Sequence, residues 1–320
     1  MIRITVPLDG SVLSEQALHH ALAITKAFPA ELTLLRVVNN ASSNAGIRTD
    51  IVDFALERRQ AEIYLKKICD QNRSTAVSIQ TQVTEGLPAD AITHFCKDQQ
   101  PDLVIMTRYG AGNGVSNAMG FSAGGTVQKV IMGTDCSVLL IDPQRPLLNN
   151  RYRHILVPVD DGLDCEYVLG LASMIAQTHE ASLLLLNVCD EPQLPISFLN
   201  NTHASQLKND LQCLLRQHAH HRLTALSTTV PDTVQVEKQL LASTDAPFTI
   251  DAAANSSDAD LIVIHAKAPN CGTAWRYGSI VHSLLQYSHR PLLIVQTPID
   301  NSAANNFRSI LLQESQRDAG

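Results

Sequence analysis

The sequence repeats itself, and this repeat restricts the fold more than any other feature. Residues 4–10 read ITVPLDG, and residues 155–162 read ILVPVDDG. Three further pairs follow in the same order: DLVIM at 102–106 with DLIVI at 260–264, GTV at 125–127 with GSI at 278–280, and SVLLI at 137–141 with PLLIV at 291–295. Ordered landmarks at a nearly constant offset indicate an internal duplication. They predict one domain over residues 1–145, a copy over 151–298, and a tail over 299–320.

Each copy alternates short apolar runs with longer helical patterns, as expected for β-α-β units on a parallel sheet. In the first copy we predict strands near 2–8, 31–38, 77–83, 102–107 and 136–141, and helices near 12–27, 50–71, 88–98 and 125–132. In the second copy we predict strands near 154–159, 181–188, 234–241, 260–265 and 291–296, with a long helix within 197–222. The fold class is therefore α/β, with two doubly wound domains that each contain a five-stranded parallel sheet flanked by helices.

Composition excludes several classes of protein. The 24 Lys and Arg residues against 31 Asp and Glu give a net charge of −7, and no basic cluster is present, which argues against nucleic acid or an anionic membrane as a partner. No apolar run approaches the ~20 residues that span a bilayer. The seven cysteines are scattered, with no C-x-x-C pair, so a structural zinc site or a disulfide framework is not expected. We expect a cytoplasmic protein.

Two segments carry residues suited to ligand chemistry. Asp9 follows the first predicted strand and precedes Gly10, where its carboxylate can accept hydrogen bonds from a ribose hydroxyl or an adenine amine; the alternative role is a helix cap or turn acid. The fourth strand leads into residues 107–127, a glycine-rich stretch that ends in Gly125-Thr126. Backbone N–H groups at glycines and at a helix N-terminus favour phosphate. The alternative is a surface loop without a ligand.

With these motifs in place, the chain resembles a tandem universal stress protein. The resemblance covers both copies to about residue 297 and rests on VPLDGS at 6–11, VTEGLPADAI at 83–92, DLVIM at 102–106, GTV at 125–127 and CSVLLI at 136–141. In the nucleotide-binding branch of that family it implies ATP, with Mg as a companion ion, held by the Asp strand and a loop of pattern G-x2-G-x9-G-[ST]. The nucleotide-binding residues that it implies are Pro7, Leu8, Asp9, Val38, Met106, Gly110, Gly112, Gly114, Gly125, Thr126 and Val127.

Both copies depart from that glycine pattern. In the first, the leading glycine is Thr107, and fourteen residues separate Gly110 from Gly125 where nine are expected. In the second, the spacing is kept, but His265 and Ala268 replace the first two glycines. A side chain at His265 would crowd the phosphate approach. We therefore expect any nucleotide site in the first domain and a degenerate second domain.

Two sequence patterns that could indicate an enzyme are less convincing than the nucleotide-binding interpretation. Residues 120–124 read GFSAG, which matches the G-x-S-x-G nucleophile elbow at Ser122, but the elbow needs a strand immediately before its serine, and residues 112–119 have no strand character. His218 and His221 share a helical face with His220 beside them, yet two imidazoles without a carboxylate make a poor metal site. We expect no strong catalytic group, and at most slow, incidental ATP hydrolysis.

Two hypotheses remain from the sequence. The first is a stress-response protein that binds ATP or a related adenine nucleotide in its first domain. The second is a structural or interaction protein of the same fold that binds no nucleotide and uses loop 111–124 for a partner or another ligand. In either case, the apolar fifth strands over 136–141 and 292–296 predict pairing of the two copies, because an unpaired apolar edge promotes aggregation. A homodimer with four domains is also expected, and the tail residues 307–312 could form a short helix.

Overall fold

A computed structural model describes residues 1–38, 51–72, 77–110, 125–160, 162, 164–190, 202–266 and 278–296. The first copy contains β1 (Ile2–Pro7), α1 (Val12–Ala27), β2 (Ala30–Val38), α2 (Ile51–Gln71), β3 (Ser78–Glu85), α3 (Pro88–Gln99), β4 (Leu103–Thr107), α4 (Gly125–Gly133) and β5 (Ser137–Ile141). The second contains β6 (His154–Pro158), α5 (Cys165–His179), β7 (Ser182–Asp190), α6 (Thr202–Ser227), β8 (Val236–Ser243), α7 (Ala246–Ser256), β9 (Leu261–His265), α8 (Gly278–Tyr287) and β10 (Leu292–Val295).

The predicted elements are present, with shifts at their ends. The third strand of each copy continues two residues beyond its predicted end, to Glu85 and Ser243. The long helix α6 runs to Ser227 rather than stopping by residue 222, because Leu223 and Leu226 continue its buried face. Pro88 opens α3, as its fixed φ favours.

All ten strands form one sheet in the order β3-β2-β1-β4-β5-β10-β9-β6-β7-β8. Within each copy, neighbouring strands are parallel, whereas β5 and β10 pair antiparallel, with Leu139 opposite Leu293. The predicted α/β class and the pairing of the fifth strands are therefore confirmed. The antiparallel pair relates the two copies by a pseudo-twofold and leaves no apolar edge at the centre.

The burial of each strand follows its position in the sheet. Every residue of β4, β5 and β10 is buried, since helices cover both faces of the central strands. The outermost strands β3 and β8 are mostly polar and partly exposed, which suits strands at the two ends of a sheet.

The helices α1 and α5 also join the copies, through a residue of the connecting segment. Tyr152 is fully buried, and its hydroxyl hydrogen-bonds His20 Nδ1 of α1 at 2.8 Å. On its other side, the His179 ring of α5 packs edge-on at 5.4 Å between centroids. His179 Nε2 donates to the carbonyl oxygen of Ala23 at 3.0 Å. The copies are thus fixed by side-chain packing as well as by the sheet.

Candidate functional site

The reversal of strand order within the first copy lies between β1 and β4. The chain runs from β1 outward to β2 and β3, then returns to the other side of β1 as β4. The loop after β1 and the loop after β4 therefore leave the sheet in opposite directions, which opens a crevice at the carboxyl ends of these two strands. Asp9 follows β1 and Gly110 follows β4, so both residues lie at this crevice.

Asp9 and Gly110 are in direct contact. A Cβ placed on Gly110 would lie 1.9 Å from Asp9 Oδ2 and 2.8 Å from its Cγ. Any side chain at position 110 would therefore displace the carboxylate. Position 110 needs glycine because the backbone passes directly over the acid.

The local structure around Asp9 gives it the role of a turn acid. Its Oδ1 accepts hydrogen bonds from the Ser11 backbone N–H at 2.9 Å and from the Ser11 hydroxyl at 2.5 Å. Ser11 is also the N-cap of α1, because its Oγ accepts from the Ser14 N–H at 3.1 Å. Gly10 adopts a φ of +83° in this turn. Of the alternatives that the sequence left open for Asp9, the turn acid is therefore present, whereas Ser11 is the helix cap, and Asp9 Oδ2 is the oxygen that faces the β4 loop.

One cation that the sequence analysis did not single out lies beside this turn. The Arg36 Nη1 donates to the Leu8 carbonyl oxygen at 3.1 Å, and its guanidinium packs against Gly10. The ring of Tyr64 lies 5.9 Å below it. Arg36 lies on β2, two residues before Val38. The sequence feature that could have pointed to Arg36 is a basic residue near the end of an apolar strand.

Several of the residues implied by the resemblance have side chains in the interior. Leu8, Val38, Met106 and Val127 are each at most 5% exposed, so they can offer a ligand backbone atoms rather than side chains. Pro7 is half-buried at the end of β1. Gly112, Gly114 and the whole loop 111–124, with Ser122, lie outside the described residues, as does the tail after 296.

The N-terminus of α4 has open surroundings. Gly125 is exposed, and a Cβ there would meet no atom within 4 Å among the described residues; Thr126 beside it is half-buried. The free N–H groups of this helix end favour an anion.

The equivalent crevice of the second copy is built differently. Asp160 Oδ1 accepts from the Gly162 N–H at 2.8 Å and from the Cys165 thiol at 3.0 Å, which repeats the turn at Asp9. At the end of β9, however, His265 Nε2 lies 3.8 Å from the Asp164 carboxylate, whereas the last residue of β4 is Thr107. An imidazole and an acid thus stand at the mouth of the second crevice.

Other candidate groups are separated from the crevice. His218, His220 and His221 are exposed on α6. Among the described residues, no three His, Cys, Asp or Glu side chains come together as a metal site would require. No helix in the described part of the chain is long and apolar enough to cross a membrane.

The chain can now be compared with known proteins. The model of the universal stress protein family matches twice, over residues 1–142 and 151–296. A universal stress protein of Methanocaldococcus jannaschii is 30% identical over 143 residues, which cover 43% of this chain and 81% of that protein.

Two solved structures share the whole architecture. A universal stress protein from Archaeoglobus fulgidus has a TM-score of 0.64 at 14% identity and covers 92% of this chain and 98% of its own. A functionally unknown protein from Pseudomonas aeruginosa has a TM-score of 0.64 at 16% identity and covers 99% and 98%. At such identities they show the fold alone. With both halves matched by the family model, the chain belongs to the universal stress protein family as a tandem member with two copies of its domain.

Proposed function

We propose that this protein binds an adenine nucleotide, ATP in the first instance, in the β1/β4 crevice of its first domain and acts in a stress response. The observation that carries the proposal is the contact between Asp9 and Gly110 at the strand-order reversal. This contact supports the proposal because it brings a carboxylate suited to a ribose or base next to the backbone of Gly110, and the N-terminus of α4 offers N–H groups suited to phosphate.

We propose that the second domain binds no nucleotide. His265 and Asp164 occupy the mouth of its crevice, where the imidazole would crowd the phosphate approach. The second domain then serves to complete the sheet and to regulate the first. This asymmetry distinguishes the proposal from one site per domain.

The experiment is isothermal titration of the full chain with ATP. We expect micromolar binding to one site per chain, abolished by Asp9→Ala. Asp160→Ala is the matched control, because it removes the same turn hydrogen bond in the second domain and should leave the affinity unchanged. No heat at millimolar ATP would contradict the proposal and favour the alternative, a non-nucleotide interaction protein that uses loop 111–124.

The remaining parts of the proposal concern the whole assembly. We propose domains over 1–145 and 151–298, a cytoplasmic location, and a homodimer of two chains with four domains. Light scattering tests the last point directly, since a strict monomer at micromolar concentration would contradict it. ATP hydrolysis, where present, is expected to be slow, and Mg is the expected companion of the phosphates.

A further inference from the structure

The loop that carries Gly110 is anchored in the other domain. Arg108 directly follows β4, is 5% exposed, and extends across the domain boundary to the end of α8. Its Nη1 donates to the Leu285 carbonyl oxygen at 2.6 Å, and its Nη2 lies 3.5 Å from that of Leu284. The last carbonyls of a helix lack intrahelical partners and carry partial negative charge. A cation from the first domain thus caps a helix of the second.

The neighbouring residue makes a second connection. The Tyr109 hydroxyl donates to Asp142 Oδ1 at 2.9 Å, and His289 Nδ1 of the second domain lies 2.7 Å from Asp142 Oδ2. Burial raises the pKa of Asp142, but hydrogen bonds from Gln144, His289 and Tyr109 hold it below its ordinary value. The acid therefore stays charged and ties the β4 loop to the β5/β10 junction.

Among the described residues, the pseudo-symmetric position makes no such anchor in the other direction; the segment after α4 is contacted instead by Gln296 of the second domain, whose Nε2 donates to the Cys136 carbonyl oxygen at 2.9 Å and lies 3.4 Å from that of Thr134. Ala266 is the pseudo-symmetric residue, since its N–H donates to the Val295 carbonyl at 2.8 Å as the Arg108 N–H does to that of Ile141. A methyl group cannot reach the end of α4. The second domain therefore supports the β4 loop of the first through Arg108.

The anchor also lies in an incompletely satisfied polar region. Arg108 Nε, Asp251 Oδ1 and the Tyr287 hydroxyl are buried without a hydrogen-bond partner among the described residues. Asp251 interacts electrostatically with both Arg108 and Tyr287. Burial lowers the pKa of Arg108 to about 10, so the guanidinium remains charged at neutral pH. Unsatisfied buried groups are uncommon.

We propose that Arg108 is a positioning residue that couples the nucleotide crevice of the first domain to the docking of the second. Resting on the proposed function, the inference is that α8 holds residues 107–110 so that Gly110 stays against Asp9. Arg108 itself does not touch the ligand. Because coupling between two equilibria is reciprocal, ATP should in turn protect the domain junction.

The test uses the full chain with Arg108→Met, which keeps an unbranched apolar stem and removes the charge and the hydrogen-bond donors. Arg290→Met is the matched control: Arg290 is also a buried arginine, and its guanidinium binds Asp258 and the Ala259 carbonyl entirely within the second domain. We expect Arg108→Met to weaken ATP binding about tenfold, within the usual range of coupling, and Arg290→Met to change it less than about twofold. Arg108→Lys keeps the charge and should recover part of the affinity.

Hydrogen exchange separates this inference from the proposed function. Without ATP, Arg108→Met should speed amide exchange in peptides over 6–11, 106–110 and 284–290, whereas Arg290→Met should leave the first two unchanged. Wild-type ATP affinity in Arg108→Met would overturn the coupling while the proposed function stands. If the wild-type chain binds no ATP, the proposed function fails, and unchanged exchange over 6–11 in Arg108→Met would then overturn the coupling as well.

Discussion

Acid should destabilise this protein through His20, a histidine buried between the two domains. Its ring is 1% exposed, and burial lowers its pKa to about 3 from an ordinary value of 6.5. The imidazole Nδ1 hydrogen-bonds Tyr152, and its Nε2 has no partner among the described residues. A proton on this ring would place an uncompensated charge in the core.

The direction and size of the pH effect on the free energy of unfolding follow from the difference in the His20 pKa between the folded and unfolded states. His20 takes up a proton around pH 6.5 in the unfolded chain but only near pH 3 in the folded chain. The unfolded state therefore binds more protons between these two pH values. The stability is fully present above pH 6.5 and falls by about 1.4 kcal/mol per pH unit below it. From pH 7.5 to 5.0 this residue alone should remove about 2 kcal/mol from the free energy of unfolding.

The assay compares wild type with His20→Gln by urea unfolding at several pH values. Glutamine can still hydrogen-bond Tyr152 but does not titrate, so the variant should lack this component of the acid loss. The difference in unfolding free energy between the two proteins should change by about 2 kcal/mol across the range. His220→Gln, on the exposed face of α6, is the control and should run parallel to wild type. Parallel curves for wild type and His20→Gln would refute the reasoning.

Two further predictions concern the crevice and the thiols. Gly110→Ala should lower the free energy of unfolding by about 1–3 kcal/mol, because the new Cβ overlaps the Asp9 carboxylate, which Ser11 holds in place. Gly125→Ala should change it by less than about 0.5 kcal/mol, because no atom of the described residues lies within 4 Å of the added Cβ. Equal effects of the two substitutions in thermal unfolding would contradict this contrast. Burial and the hydrogen bond to the Asp160 side chain raise the pKa of the Cys165 thiol to about 12. Iodoacetamide at pH 8 should therefore label the exposed Cys213 well before Cys165. Peptide mass spectrometry that shows the reverse order of labelling would contradict the burial of Cys165.

The resemblance found in the sequence located the crevice but not its contacts. Asp9 and Gly110 stand out because each follows an apolar run, and the parallel order of those runs is what a β-α-β pattern predicts. Arg36 and Arg108 did not stand out, since a single basic residue at the end of a strand is a weak signal in a sequence. The predicted roles of Leu8, Met106 and Val127 stay predictions for their backbone atoms, as their side chains belong to the core.

The sequence by itself determined the duplication, the α/β class, the order of the elements and the position of the acid and glycines at the strand ends. These features are local, or repeat at a fixed offset, so hydrophobic periodicity and spacing are enough to reveal them. Only the tertiary structure decided that Gly110 lies on Asp9, that Arg108 caps α8, and that Tyr152 stands between His20 and His179. Periodicity reports which face of an element is buried, whereas the partner of a buried side chain depends on how distant segments pack.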